Sequence, residues 1–215
     1  MQPTWYLDPC PEALQGPDRQ APQGRLPLRP EAHRGPHTPD TAATAPGGNG
    51  SRPKVLLSFG THFAAPDVLR PVIDALAAKA DLVVTLGLTA TAADYGDGLD
   101  HVEFVGFTPL AELLDGVDLV VTHGGAGTTL GTLSRGLPMM VVPQGADQFL
   151  QAGAVAGSRT GIAVLPPATP EAVAEAVTQV LDTAEYRDNA RQAAEQIAAM
   201  PSPREVADEL VRLLT

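Results

Sequence analysis

The chain has 215 residues, 44% hydrophobic but only 4% aromatic, so Val, Leu and Ala are expected to form a core like that of a helix-covered parallel sheet. The formal net charge of −11 argues against a nucleic-acid-binding or anionic-membrane surface, since both need a basic face. Cys10 is the only cysteine, no apolar run approaches the roughly 18 to 20 residues of a membrane span, and the N-terminus lacks signal-peptide features. These features exclude an intrachain disulfide, a cysteine-based metal site and a membrane span, and they predict a soluble, cytoplasmic protein.

Residues 1–50 are crowded with proline, glycine and polar residues, and the stretch TAATAPGGNGSRP is typical of a flexible linker. They hold too little apolar material for an independent fold, and only TWYLD (4–8) and GRLPLRP (24–30) could pack against another part. We therefore expect a flexible segment over residues 1–50 and one folded domain over residues 51–215.

From Lys54 onward, short apolar runs alternate with segments of helical periodicity. Strands are predicted at 54–59, 81–87, 101–107, 118–123, 137–143 and 161–166. Helices are predicted from about Pro66, at 110–116, 127–135, 147–158, 170–182, 185–199 and 203–214. Pro71 is compatible with the first helix only if that helix begins near Asp67. This alternation predicts an α/β fold with a doubly wound, Rossmann-like parallel sheet.

The stretch VVTHGGAGTTLGTLSRGLP (120–138) predicts a strand, a glycine loop and a helix. Ligands of such sheets bind beyond the carboxyl ends of the strands, where a helix N-terminus attracts phosphate. Glycines 124, 125 and 127 are expected to allow close approach and positive φ, while Thr128 and Thr129 supply hydroxyl groups. His123 can donate from a ring nitrogen.

The charge pattern makes this prediction more specific, because no Lys or Arg occurs between Lys79 and Arg135. Backbone amides, the helix dipole and His123 would then have to neutralise a diphosphate, unlike a P-loop with its lysine and metal.

Two alternatives remain for this loop. In the first, the glycines serve only helix–strand packing, and His123 forms a hydrogen bond with the backbone. A dinucleotide site is the other, since Gly125-Ala126-Gly127 supplies G-x-G and Asp147 could bind a ribose hydroxyl. Against it, Leu130 occupies the place of the third glycine, and the loop follows the fourth strand of the domain rather than the first.

The segment VTHGGAGTTLGTLSRGLPMMVVPQGADQFLQA (121–152) resembles the donor-binding segment of GT-B glycosyltransferases, in particular bacterial enzymes that glycosylate macrolides, glycopeptides and other natural products. The likeness extends through LLSFGT (56–61) and FVGFTPLAELLDGVDLVVTH (104–123). Even DPCPEALQG and LPLRP, within 8–30, are similar to the end of the family's N-terminal domain and its passage into the linker. The chain therefore resembles the C-terminal half of a GT-B architecture.

The resemblance implies a role for each matched residue. The diphosphate would be bound by Gly60, Thr61, His123, Gly125, Ala126, Gly127, Thr128 and Thr129. The nucleobase would be held by Phe107 and Thr108, and the donor sugar by Asp147 and Gln148. From position alone, Asp147 could instead be a helix N-cap with Gln148 exposed. The resemblance implies neither a metal nor a cofactor, only a TDP- or UDP-sugar as substrate.

The implied reaction is sugar transfer with inversion to a hydroxyl of a small natural product. No acceptor domain fits within 1–50, so no catalytic base is assigned in this chain and an acceptor-binding N-terminal domain or subunit is the expected partner. The open cleft wall also offers a surface for homodimerisation. The alternative is a non-catalytic nucleotide-sugar-binding module or an inactive remnant.

Parts of the sequence depart from the family pattern. Leu110 replaces a glutamine common in the family, and GLTATAADYGDGLD (87–100) matches weakly and is expected to be a disordered loop. The remaining histidines are expected to be solvated: 33, 37, 62 and 101.

Overall fold

A computed structural model describes residues 4–16, 20–35, 52–60, 66–88 and 90–214. Its strands are β1 (Tyr6–Asp8), β2 (Arg25–Pro27), β3 (Lys54–Ser58), β4 (Asp81–Thr85), β5 (Val102–Val105), β6 (Leu119–Thr122), β7 (Met139–Val141) and β8 (Gly161–Ala163). Its α-helices are α1 (Pro66–Ala77), α2 (Leu110–Leu113), α3 (Ala126–Ser134), α4 (Gln148–Gly157), α5 (Pro170–Asp182), α6 (Ala184–Ala199) and α7 (Pro203–Leu214).

The six strands from β3 to β8 form one parallel sheet in the order β5-β4-β3-β6-β7-β8. The predicted doubly wound fold is therefore confirmed. The chain leaves β3 toward one edge of the sheet and returns at β6 toward the other, so the strand order reverses between these two neighbours. In such a sheet the loops at the reversal leave a crevice beyond the carboxyl ends.

The sheet has a hydrophobic core on each face, because successive side chains of a strand point to opposite sides. Val55 and Leu57 of β3 pack with α1 and α5 on one face, and Leu56 packs with α3 and α6 on the other. Central strands such as β6 are buried on both faces, which explains their uninterrupted apolar sequences.

The helix α1 begins at Pro66, as its sequence requires. Pro71 lies in the second turn, where the missing N–H removes one bond near the start of the helix rather than in its middle.

Residues 4–16 and 20–35 pack against the sheet domain. The strands β1 and β2 pair in parallel, and the buried carboxylate of Asp8 accepts a 2.8 Å bond from Arg25 Nε. Leu14, in a short 3-10 helix, and Ala32 are buried in the second core, which is the one on the face of the sheet that contains Leu56. The sequence predicted neither strand, since each has only three residues.

The expectation of a disordered loop at 87–100 is wrong for residues 90–100. A 3-10 helix spans Ala92–Tyr95, and Thr91 and Asp94 form reciprocal hydrogen bonds at its start. The Tyr95 ring is buried, 4.8 Å from the Phe104 ring between centroids.

None of the helices in the described ranges is long and apolar enough to cross a membrane.

Candidate functional site

The crevice between β3 and β6 brings together two predicted phosphate-binding residues. Ser58 pairs with Thr122 at the carboxyl ends of these strands, so Gly60 and His123 lie next to each other. A Cβ added to Gly60 would lie 2.9 Å from His123 Cε1, and one added to Gly125 would lie 2.8 Å from His123 Nε2. The imidazole therefore lies between two glycines and fills the space that their side chains would need.

His123 is partly buried, and this burial lowers the pKa of its imidazole from the usual value of 6.5. A hydrogen bond with the Ser58 backbone and the charge of Asp147 raise the pKa, but their effect is smaller. Because this bond raises the pKa, the ring donates it to the Ser58 carbonyl. An uncharged imidazole has a single N–H, so donation to a phosphate at the same time requires a second proton on the ring.

The first turn of α3 faces the same crevice. Its N-cap residue, Gly125, has no side chain to satisfy the free N–H groups, and no acidic residue occupies the turn. A Cβ added to Gly127 would meet no atom within 4 Å, so packing within the described part of the chain does not explain this glycine. Arg135, at the other end of α3, donates to Ala111 O and binds Asp115.

The glycines differ in conformation from the prediction. Only Gly124 has a positive φ, at +87°, and its missing Cβ leaves room for Val141. Gly125 has φ −61°, and Gly127 lies within the helix. The packing interpretation therefore accounts for Gly124 and partly for Gly125, but not for Gly127.

The two adjacent threonines of α3 point in different directions. Thr128 lines a cavity, whereas the Thr129 side chain is fully buried and its hydroxyl has no hydrogen-bond partner among the described residues. The Thr129 amide donates to Gly125 O within the helix. The structure thus places the Thr128 hydroxyl, and not that of Thr129, beside the crevice.

A cavity of about 140 Å³ joins the predicted phosphate and nucleobase residues. Gly60 and Thr128 line it together with Phe107 and Thr108, although these residues follow three different strands, β3, β6 and β5. Ser58 and Thr85 also line it, and the Thr85 hydroxyl donates to Ser58 Oγ at 3.2 Å. This hydroxyl pair was not predicted, although both residues lie at the carboxyl ends of neighbouring strands.

Phe107 is 77% exposed, and its ring lies 6.3 Å from that of His33 between centroids. His33 O accepts a 3.1 Å bond from Ala111 N, which places the preceding segment against α2. His33 is exposed, as expected, but its position beside a predicted nucleobase residue was not predicted.

The two predicted sugar-binding residues lie at the start of α4. Asp147 is exposed, occupies the N-cap position and makes no side-chain capping bond. Gln148 is 7% exposed, and its Oε1 accepts from Gln144 N at 2.7 Å and Gly145 N at 3.1 Å. The alternative of a capping Asp147 with an exposed Gln148 therefore does not hold.

The loop that precedes α4 is adjacent to the glycine loop that precedes α3. A Cβ on Gly124 would lie 3.4 Å from Gln148 O, and the charge of Asp147 acts on His123. Ala146, just before Asp147, has φ +53°, a strained value for alanine that the surrounding loop must maintain.

Thr61, the remaining predicted diphosphate residue, lies outside the described residues. Among those that are described, no cluster of His, Cys, Asp or Glu could hold a metal ion.

Residues 70–213 match the family model for the Erythromycin biosynthesis protein CIII-like, C-terminal domain. The chain belongs to this EryCIII-like family. It is similar to elloramycin glycosyltransferase ElmGT of Streptomyces olivaceus, with 35% identity over 169 residues that cover 76% of this chain and 42% of the relative.

Solved structures agree with the EryCIII-like assignment. The glycosyltransferase SnogD from Streptomyces nogalater has a TM-score of 0.75 and 26% identity, covering 97% of this chain and 57% of its own. Glycosyltransferase VinC, solved in complex with DTDP, has a TM-score of 0.73 and 30% identity, covering 94% and 50%. The chain thus spans about half the length of these relatives. The predicted likeness to GT-B glycosyltransferases of antibiotic biosynthesis is confirmed.

Proposed function

We propose that the chain is the donor-binding half of an inverting glycosyltransferase that moves a sugar from a TDP- or UDP-sugar to a hydroxyl of a small natural product. The cavity shared by the first turn of α3 and by Phe107 and Thr108 carries this proposal. A single nucleotide could occupy both ends, with its diphosphate over α3 and its base beside Phe107. The DTDP bound to VinC supports a nucleoside diphosphate as the ligand.

The structure supports a location for each part of the donor. The diphosphate would receive hydrogen bonds from the first-turn amides of α3, residues 125–128, and from His123, with Gly60 and Thr61 bordering it. The exposed Asp147 carboxylate and the Gln148 amide would bind donor sugar hydroxyls. Since Gln148 Oε1 already accepts two backbone bonds, its Nε2 is the group that would donate to the sugar.

Catalysis by this half would consist of stabilising the leaving group. As the bond to the anomeric carbon breaks, negative charge grows on the departing nucleoside diphosphate. Fixed N–H donors and the positive end of the α3 dipole point toward that charge and need no reorganisation. The base that deprotonates the acceptor hydroxyl would come from the acceptor-binding domain or subunit.

Exposed apolar side chains at the carboxyl edge of the sheet support such a partner. Leu88, Phe107, Phe149, Leu150 and Leu165 follow β4, β5, β7 and β8 and are between 46% and 78% exposed. A patch of this kind beside a ligand crevice is typical of an interaction surface. We propose that an acceptor-binding domain covers this patch, and a homodimer is the competing occupant.

We also propose that residues 51–215 form the donor domain and that residues 1–50 form the linker region. The whole enzyme would be cytoplasmic.

A transfer assay tests the proposal. The chain is incubated with TDP-glucose or UDP-glucose and a hydroxylated polyketide, with and without the acceptor half of the elloramycin relative, and products are followed by mass spectrometry. We expect donor binding by the chain alone, and transfer with inverted anomeric configuration, seen by NMR, only with the added half. Donor binding without transfer in any pairing would indicate a binding module, and absence of donor binding would refute the function.

A further inference from the structure

The cavity beside α3 has walls of two chemical kinds. Gly60 and Thr128 lie at the end near His123, whereas Phe107, Leu110 and Leu113 line the end that follows β5. None of the described side chains that line the cavity carries a charge. The end remote from His123 therefore suits a neutral, flat group such as a nucleobase better than a phosphate or a charged sugar.

Leu110 has a fixed place in this wall. A Cβ added to Gly131 of α3 would lie 2.7 Å from Leu110 Cδ2 and 3.3 Å from Ala32 Cβ. The leucine therefore occupies space beside α3 that is open only because residue 131 is glycine. Leu110 and Leu113 are both partly buried against the second core, so the wall is supported from behind.

Thymine and uracil differ only by a methyl group at carbon 5 of the ring, and their hydrogen-bonding edges are the same. Backbone groups of Gly106 to Thr108 would therefore bind both bases equally. A methyl group gains free energy from an apolar wall, as it does where proteins contact thymine in DNA. Burial of one such group corresponds to roughly 0.8 kcal/mol, or about a fourfold difference in affinity.

We propose that Leu110, supported by Leu113, receives the 5-methyl group of thymine and so makes this chain select thymidine over 2′-deoxyuridine diphosphates. The proposal rests on the proposed function, since it assumes that a nucleoside diphosphate occupies the cavity. Leu110 acts by direct contact with the substrate base.

Calorimetry with three ligands tests this assignment. Thymidine diphosphate and 2′-deoxyuridine diphosphate differ only by the methyl group, and uridine diphosphate adds only the 2′-hydroxyl. The wild-type chain should bind thymidine diphosphate about fourfold more tightly than 2′-deoxyuridine diphosphate. In Leu110→Gln, of similar size but polar, this ratio should fall to about one. The preference between the two uridine ligands should stay the same in both proteins.

Leu165→Gln is the matched control, because Leu165 is 59% exposed at the same edge and does not line the cavity. It should keep the fourfold ratio. A measurement on the wild type makes the test independent of whether Leu110→Gln folds. In NMR spectra of the complex, the thymine methyl protons should show nuclear Overhauser contacts to the Leu110 methyl groups.

Three results would overturn the assignment: a wild-type ratio near one, a fourfold ratio retained by Leu110→Gln, or a bound thymine methyl without contacts to Leu110. Equal binding of both deoxynucleotides would leave the proposed function standing. Binding of uridine diphosphate alone would likewise refute this inference and leave the proposed function standing. If none of the three nucleotides binds the wild type, the proposed function itself fails, and this inference fails with it.

Discussion

His123 shows how a chain of net charge −11 could bind the proposed diphosphate. A permanent cation in the crevice would find nearby partners such as Asp147, whose charge already acts on the imidazole. The imidazole between Gly60 and Gly125 avoids that competition, since burial favours its uncharged form without a ligand and it gains a proton only when an anion binds. The described part of the chain provides no Lys or Arg among the residues that line the cavity.

Replacement of His123 by Ala should weaken binding of thymidine diphosphate by about 10- to 100-fold, the usual range for a hydrogen bond to a charged group. Binding of thymidine should change less than about twofold, because the nucleoside has no phosphate to lose. Calorimetry with both ligands measures the difference. His101→Ala is the control, because His101 binds Asp81 at the amino end of the sheet. Equal losses for both ligands in His123→Ala would contradict the phosphate role.

The lowered pKa of His123 predicts a pH dependence of donor binding. A bound diphosphate favours the protonated ring, so the pKa of the complex must lie above that of the free protein, and a proton is taken up on binding. Affinity for a TDP-sugar should therefore rise, by up to about tenfold per pH unit, as the pH falls from the pKa of the complex to that of the free protein, which lies below 6.5. The phosphates of a nucleotide sugar do not titrate in this window.

Calorimetry in two buffers of different ionisation enthalpy would measure that proton uptake. His123→Asn, which can still donate a hydrogen bond but cannot titrate, should show none. An unchanged pH profile in this variant would mean that another group takes up the proton.

The helix α3 contains two glycines, one turn apart, with opposite surroundings. Gly127 faces open space, whereas Gly131 is covered by Leu110 and Ala32. The N-terminal part of the helix is thus left free for a ligand, while its middle is packed closely against α2 and the segment before the domain.

Alanine substitutions at these two positions should have opposite effects. Gly127→Ala should raise the free energy of unfolding by up to about 1 kcal/mol, because alanine favours helix and meets no neighbour, and should weaken thymidine diphosphate binding. Gly131→Ala should lower it by about 1–3 kcal/mol through overpacking. Urea unfolding and calorimetry separate the two. If Gly127→Ala bound the ligand as tightly as wild type, the diphosphate would not approach this turn.

Elements with local end signals were predicted well, and elements that border the crevice were not. The helices α5 and α7 have the predicted limits, and Thr169 caps α5 by accepting from the Ala172 amide. By contrast, the predicted strands at 101–107 and 161–166 end early, at Val105 and Ala163. Their last apolar residues, including Phe107 and Leu165, are exposed at the carboxyl edge. An apolar sequence predicts burial, whereas here it forms a rim.

The residues of the candidate site could be predicted only where a local sequence pattern marks them. Motif positions such as His123 and Phe107 follow from the sequence, because each lies directly after an apolar run. The contact between His33 and Phe107 and the opening at Gly131 for Leu110 depend on packing between distant segments. No local pattern encodes such contacts.

At the scale of the whole molecule, the carboxyl edge of the sheet combines the candidate crevice with exposed apolar side chains. Leu150 on α4 is 78% exposed and lies three residues from Asp147. An acceptor domain that closes over the donor would exclude water from both, which strengthens the electrostatic contribution of α3 to leaving-group departure.

Substitution of Leu150 by Glu should therefore separate donor binding from transfer. Because the side chain is exposed, the variant should fold with an unchanged free energy of unfolding and bind thymidine diphosphate like wild type. Transfer with an added acceptor half should fall at least tenfold, since a carboxylate would have to be desolvated in the interface. Ala78→Glu places the same charge on an exposed residue just before β4, at the opposite edge, and should leave transfer unchanged. Equal transfer by both variants would mean that the acceptor domain does not cover α4.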